Sequence, residues 1–432
     1  MKKKIKNIIY KTDSFFYKFF GSHKSVKVLQ NIQEAEKIFL HLNENSGESK
    51  VRFVGGCVRK ALSGDKIDDL DLATTLEPDE IKKKLNKENI KIIDSGISHG
   101  TITIILKNKK FEITTLRKDV ATDGRHADVE FTLNWKEDAL RRDFTINAIY
   151  SDMQGRIFDY LNGVSDLQRG IIKFIGSPEA RIKEDYLRIL RYFRFFIQYS
   201  KVDHDENIVK SIKKNINGLN KISNERIFDE LLKILKIKNL YELFSNNISK
   251  EIIINIFPQF KYYGRLKVLE NLSNKLRNKY NNFLILALLI LDESNEYEYF
   301  CHKYKVSNKI KDKFQNISQN YGDLKNKKFY SNFNIKKLIY LFGKEAASDL
   351  LLFSICESNK RKISDIEKLL DYIENYKIPK FPISGEHLKK YGYQTGSTLG
   401  KKLKELEDEW IKNNFTIDKQ LVEKSLGKRD QN

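Results

Sequence analysis

The sequence predicts an α+β protein, with an N-terminal α/β head built on a mixed sheet and an all-α neck, body and tail. Two observations predict it. Between residues 51 and 150 short apolar runs alternate with turn signals in the manner of strands. Beyond about residue 165 strand signals nearly vanish and helical periodicity runs to the end. A chain of 432 residues exceeds one ordinary core. The expected divisions are a helical arm over 1–49, the head over 50–165, a neck over 166–240, and a body and tail over 241–432.

Each element follows from its local pattern. SVKVLQNIQEAEKIFLHL spaces its apolar residues as a helix. VRFVGG reads as a short strand ending in a glycine turn, and DDLDLATT alternates as a strand. EPDEIKKKL opens a helix with Pro78 in its first turn. GTITIILKNKKFEITTL reads as a hairpin turning at Lys107–Lys110. RIKEDYLRILRYFRFFIQY, SNERIFDELLKIL, FLILALLILDE and ISDIEKLLDYIENY are helical, and FPISGEHLKKYGYQTGSTLGKKLKELEDEW places glycines before an amphipathic helix. No fixed-period repeat or low-complexity linker interrupts the chain.

The net charge is +21, which suits a polyanionic partner. A Lys-, Asn- and Ile-rich composition with five prolines also fits general compositional drift, so charge alone assigns no site. Cys57, Cys301 and Cys356 are widely spaced and odd in number, which gives no disulfide framework or metal spacing and fits a reduced, cytoplasmic setting. No apolar run approaches the roughly 18 residues of a membrane span. The basic, aromatic start, MKKKIKNIIYKTDSFFYKFF, lacks the continuous apolar stretch of a secretory signal; it imitates an organelle transit peptide, but its charges are Lys rather than Arg and Asp13 interrupts them, so a loosely ordered basic arm is the favoured reading. His204, within DHD, reads as a surface residue, because the seven histidines assemble no ligand set.

Chemistry concentrates in the head. Asp69 and Asp71 flank Leu70, and side chains at i and i+2 of a strand share a face. Paired carboxylates repel unless a cation lies between them, and Mg²⁺ takes hard oxygen ligands while keeping positions for water and phosphate. Gly55 and Gly56 precede Cys57, Val58 and Arg59. Such a turn lets backbone N–H groups approach a phosphate, and a following helix start favours the anion.

VGGCVRKALSGDKIDDLDLATT resembles the first motif of the class II tRNA nucleotidyltransferase and bacterial poly(A) polymerase family, within the DNA polymerase β superfamily. Lys60 stands where that family usually carries Asp. The resemblance implies metal ligation by Asp69 and Asp71, with Glu112 of KKFEITTLRKD as a third acid of the cluster or its support. RRDFTINAIY is similar to the family's second motif. That implies nucleotide contact by Arg142, positioning of sugar or loop by Asp143 and Asn147, and packing for Phe144 and Ile146. DYLNGVSDLQRG, with Asp159, Gly163, Asp166 and Gly170, resembles the connector from head to neck and is expected to act as a hinge.

Glu184 to Phe195 is expected as one helix whose Asp185, Arg188, Arg191 and Arg194 form a charged stripe. The resemblance assigns base reading to Asp185 and Arg188, and triphosphate contact to Arg191 and Arg194. The chemistry agrees. CTP and ATP both show an amine donor beside a ring-nitrogen acceptor, which a carboxylate and an arginine complement. Glu225 and Arg226 of SNERIF are expected to brace that helix, or simply to pack.

DSGISHGTITI looks like the CCA-adding version of its segment rather than the poly(A) version, and TTLRKDVATDGRHADVEF is present in full, which in the family accompanies the switch from C to A. The resemblance therefore implies addition of C, C and A to a tRNA 3′ end from CTP and ATP, without template, with Mg²⁺ as cofactor and no obligate protein partner. The alternatives are a poly(A) polymerase, an enzyme of partial addition, and a non-catalytic tRNA-binding protein on the same scaffold. The tail glycines Gly396 to Gly400 start a helix suited to an RNA phosphate or form a plain turn.

Overall fold

A computed structural model describes residues 26–43, 50–86, 90–122, 127–357 and 362–417. Most of the basic arm and residues 123–126 of the TTLRKDVATDGRHADVEF segment lie outside the described residues. The chain forms two compact units, the first ending at Ile256 and the second beginning at Phe257. The helices Glu242–Ser245 and Asn247–Ile256, grouped above with the body, fall in the first unit.

The first unit is built on a seven-stranded mixed sheet. Its strands are β1 (Val51–Val54), β2 (Leu70–Thr74), β3 (Lys91–Gly96), β4 (Thr101–Leu106), β5 (Lys109–Thr115), β8 (Ile149–Ser151) and β9 (Ile157–Asp159). Their order across the sheet is β3-β4-β5-β2-β1-β8-β9. β2 and β5 run parallel, whereas β1 is antiparallel to both β2 and β8. β6 (Arg117–Thr122) and β7 (Ala127–Phe131) form a separate two-stranded ribbon. β4 and β5 make the expected hairpin, but its turn is only Lys107 and Asn108, since Leu106 already pairs with Lys109. Lys107 takes a φ of 54° to close it.

Alternation along the strands separates core from chemistry. Val51 and Phe53 of β1, Leu70 and Leu72 of β2 and Phe111 and Ile113 of β5 face one apolar core, shared with the helices Gln33–Leu42, Gly56–Ser63 and Pro78–Leu85. The opposite face carries Val54 and Ala73, packed with Trp135, Tyr150 and Phe158. Asp71 belongs to that second face by register. The strand begins at Leu70, so Asp69 sits one residue before it.

Among the described residues no strand follows β9. The connector is firmly bonded. The buried Asp159 carboxylate accepts from the backbone N–H groups of Leu161, Gly163 and Val164. Any side chain at Gly163 would collide with the Thr145 carbonyl.

The expected long helix is interrupted. Pro178–Glu184 and Arg188–Tyr199 are separate helices. Asp185 between them is extended (φ −153°, ψ 105°), and its carboxylate accepts from Leu187 N at 3.2 Å, a local bond that competes with continuing the helix. The reading of His204 as surface is also corrected. It is buried, with Nδ1 2.9 Å from the Tyr192 hydroxyl and Nε2 2.7 Å from Ser249 Oγ, and Phe196 stacks on its ring.

In the second unit the helix Asn282–Ile290 is apolar nearly all round, and Asn332–Glu357 is bent at Gly343, whose φ is 84°. The tail helix Ser397–Lys412 packs on Gly385–Lys389 around Leu388 and Leu406, with Gly396 immediately before it. No described helix is long and apolar enough to cross a membrane.

Candidate active site

The site begins at the end of β1, where the chain must turn sharply into a helix. Gly55 takes φ 67°, ψ −117°, a conformation that favours glycine. A Cβ added there would lie 3.4 Å from the Asn147 carbonyl and 3.6 Å from Arg142, and one at Gly56 would lie 3.8 Å from the Asp71 carboxylate. The turn thus sits between an acidic group and a basic one.

The acidic group comes from neighbouring parallel strands. Asp71 pairs in register with Glu112, so both project on one face, and Asp69 precedes them. Lys110 lies 2.6 Å from Glu112. Burial pushes the Asp71 carboxyl up to about 6, and Glu112 and Asp69 push the same way against Arg142 and Lys60. Three oxygen-only side chains in mutual repulsion suit a hard cation. Among the described residues no group of three or more acids, histidines or cysteines is arranged to hold an ion by itself.

The basic side is locked by residues that the sequence motifs did not single out. Asp138, on the helix Trp135–Leu140, is fully buried. One of its oxygens pairs with Arg141 at 2.6 Å. The other takes Arg142 at 3.0 Å and the Tyr150 hydroxyl at 2.7 Å. Burial opposes ionisation of Asp138, yet Arg142, Arg141 and Tyr150 hold its carboxyl at about 2. The signal was present as spacing, since Asp138 lies three and four residues before the two arginines.

A second chain of bonds joins the sheet to the Arg188–Tyr199 helix. Buried Arg59 donates to Asn147 Oδ1, Asn147 Nδ2 donates to Asp143 at 2.8 Å, and Arg191 Nε donates to Asp143 at 2.7 Å. Burial pushes Asp143 up, but Arg191, Asn147 and Arg188 outweigh it and hold it at about 2. Phe195 collects positive charge. The guanidinium carbons of Arg59, Arg191 and Arg194 lie 4.6, 5.8 and 4.2 Å from its ring centre. Tyr199 adds a second ring 5.2 Å from Arg59. Arg59 is therefore held by Asn147 and two aromatic rings, while Lys60 turns away to pair with Asp68. The buried Nε of Arg59 has no hydrogen-bond partner.

The expected base-reading pair is not bonded to itself. Asp185 accepts from Arg226 at 2.8 Å, and Arg188 Nη1 donates to Glu184 and to the Arg181 carbonyl at 2.5 and 2.9 Å. Arg194 pairs with buried Glu230. Arg226 does brace this region, through Asp185.

Residues 51–173 match the family described as the poly A polymerase head domain, and residues 203–263 the one described as a probable RNA and SrmB-binding site of polymerase A. The chain is 34% identical over 373 residues to the "CCA tRNA nucleotidyltransferase 1, mitochondrial" of Danio rerio, covering 86% of this chain and 85% of that protein. It is 29% identical over 430 residues to a "CCA-adding enzyme" of Lactobacillus helveticus, covering 93% and 96%. Among solved structures, that of the Bacillus stearothermophilus CCA-adding enzyme in complex with CTP superimposes with a TM-score of 0.68 at 25% identity, covering 88% of this chain and 93% of that one.

Proposed function

The chain belongs to the CCA-adding tRNA nucleotidyltransferases, and we propose that it adds C, C and A to the 3′ end of tRNA from CTP and ATP without a nucleic-acid template. The observation that carries this reading is the pairing of two opposite fields across one glycine turn. Asp71, in register with Glu112 and two residues after Asp69, lies beside Gly56, and Arg142 lies beside Gly55, while Arg59, Arg191 and Arg194 gather round Phe195.

In this reading the arginines bind and orient the triphosphate, with Arg142 aimed by Asp138 and Arg191 by Asp143. The backbone at Gly55 and Gly56 admits a phosphate beside Asp71. The tRNA 3′-hydroxyl releases its proton to solvent as its oxygen attacks the α-phosphorus in line, the bond to the bridging oxygen breaks, and pyrophosphate leaves with the electron pair. The family's chemistry depends on a divalent metal, and Asp69 and Asp71 would hold it, supported by Glu112. We take the ion to be Mg²⁺, which when bound supplies neutralising charge for the phosphates and the attacking oxygen. Catalysis then rests mainly on position and charge stabilisation.

Base choice falls to Asp185 and Arg188. The carboxylate accepts from the exocyclic amine of C or A, and the guanidinium donates to the ring nitrogen. G or U would leave buried polar groups unpaired, at about 1–3 kcal/mol each. One pocket can therefore serve both nucleotides. Basic residues beyond the head would contact tRNA phosphates and read its shape. A reducing setting is supported by the three free cysteines, all buried.

The test is extension of a tRNA transcript lacking its last three nucleotides, with Mg²⁺ and CTP, ATP or both, resolved to single nucleotides. Growth by two with CTP, and by one more only when ATP is added, is expected. A long ladder with ATP alone would make the enzyme a poly(A) polymerase, and no extension would leave a tRNA-binding protein on this scaffold.

A further inference from the structure

Asp185 does not stand on a helix but in a three-residue linker, Asp185 to Leu187, between two helices. Asp185 is extended and the two residues after it form a turn, in which Arg188 N donates to the Asp185 carbonyl and Leu187 N to one carboxylate oxygen. These local bonds shape the linker, but its placement, and with it the final aim of the carboxylate, comes from what the linker packs against. Two of its side chains meet two consecutive elements, the 3₁₀ helix Ile216–Lys221 and the helix Asn224–Ile234. Asp185 bonds Arg226, and the Tyr186 ring lies directly on Gly218 of the 3₁₀ helix Ile216–Lys221, with the Lys221 ammonium 5.8 Å from the ring centre. The fit at Gly218 is tight. A methyl group there would overlap three carbon atoms of the Tyr186 ring, and nothing about the Gly218 backbone itself demands glycine. The residue is small because the ring needs the space.

We infer that Tyr186 and Gly218 are positioning residues for nucleotide choice. The ring seated on Gly218 sets the path of the linker, and thereby the direction of the neighbouring Asp185 carboxylate. This inference rests on the reading of Asp185 as the group that reads the base edge. Both are assigned to act through Asp185 rather than as catalytic residues. Their effect is on the ratio of correct to incorrect base rather than on the transfer step.

The experiment uses the full-length enzyme and a tRNA transcript lacking its last three nucleotides. Relative kcat/KM for CTP and UTP, with the melting temperature, is measured for wild type, Asp185→Asn, Gly218→Ala, Tyr186→Ala, Tyr186→Phe and the Gly218→Ala/Tyr186→Ala double variant. Gly218→Ala is expected to reduce discrimination against UTP by about tenfold or more, the scale of one mispositioned hydrogen bond. Tyr186→Ala should reduce it too. Tyr186→Phe, which keeps the ring, should retain it. The double variant should be no worse than Tyr186→Ala, since the added methyl then meets no ring. If Gly218→Ala does not fold, the Tyr186→Ala and Tyr186→Phe pair decides by the same ratio. Wild-type discrimination in both Gly218→Ala and Tyr186→Ala, with discrimination lost in Asp185→Asn, would overturn the inference and leave the base reader in place. Unchanged discrimination in Asp185→Asn would instead overturn the assignment of Asp185 itself, and the inference with it.

Discussion

The two compact units handle charge in opposite ways. The first buries Arg52, Arg59, Asp138, Asp143, Asp152, Asp159 and Glu230, with Arg59 and Asp143 joined through Asn147 in one chain of bonds and Asp138 holding Arg142 beside the glycine turn. Among the described charged residues of the second unit, burial is confined to Arg265 and Asp349, and its interior is otherwise apolar, as in the helix Asn282–Ile290. Buried charge is costly unless every member is paired, so seven such residues in one unit point to a requirement other than stability. The second unit shows what ordinary helical packing needs, which is apolar periodicity and very few internal ions.

The largest expected effect separates chemistry from folding. Asp69→Ala/Asp71→Ala should lower nucleotide addition by about a thousandfold or more, by removing the groups that anchor the metal. Its melting temperature should hold or rise, because mutual repulsion among carboxylates is relieved. A fall in stability alongside the loss would place these acids among the structural ion pairs instead.

Asp138→Ala comes next. It strands Arg141, Arg142 and the Tyr150 hydroxyl, and breaking such a buried pair costs about 3–5 kcal/mol. Nucleotide binding should weaken with it. Arg265→Ala is the matched change in the second unit, where Arg265 bonds Glu357, the Tyr321 hydroxyl and the carbonyls of Leu288 and Leu291. It should destabilise that unit yet leave CTP affinity, measured without tRNA, unchanged. Equal loss of CTP affinity in both variants would break the comparison.

A smaller effect comes from His204. Burial holds its ring below the ordinary range at about 4, against the opposing influence of Asn246 and Asp203. The folded state keeps the ring neutral, while the unfolded chain takes up a proton near pH 6.5. Stability from this site is complete above pH 6.5 and is lost as pH falls toward 4, at up to about 1.4 kcal/mol per pH unit. His204→Phe should melt lower at pH 7.5, having left Tyr192 and Ser249 without their partner, but should lose less on going to pH 5. An equal pH slope in both proteins would remove His204 as the cause. The smallest effect should be that of an exposed pair such as Lys82–Asp94, where Lys82→Ala is expected to cost under about 1 kcal/mol in a melting experiment.

The head was legible because its groups follow short-range rules. Strand alternation separates Leu70 from Asp71, and only a glycine fits the backbone at Gly55. What escaped was set by tertiary contact. The helix break at Asp185 depends on a side-chain bond to Leu187 N and on Arg226, 41 residues away. His204 looked polar and exposed between two aspartates, but its partners come from positions 192 and 249. The boundary at Ile256 lies within an unbroken run of helical pattern, where periodicity carries no mark of which helices pack together.

The central claim is that one protein pocket, read through Asp185, selects both C and A. Single-turnover incorporation of C and of A, each on its proper tRNA end, in wild type and Asp185→Ala tests it most directly. Both rates should fall by a similar factor of about ten to a hundred. A fall in only one of them would mean that C and A are chosen at different places, and would contradict the claim.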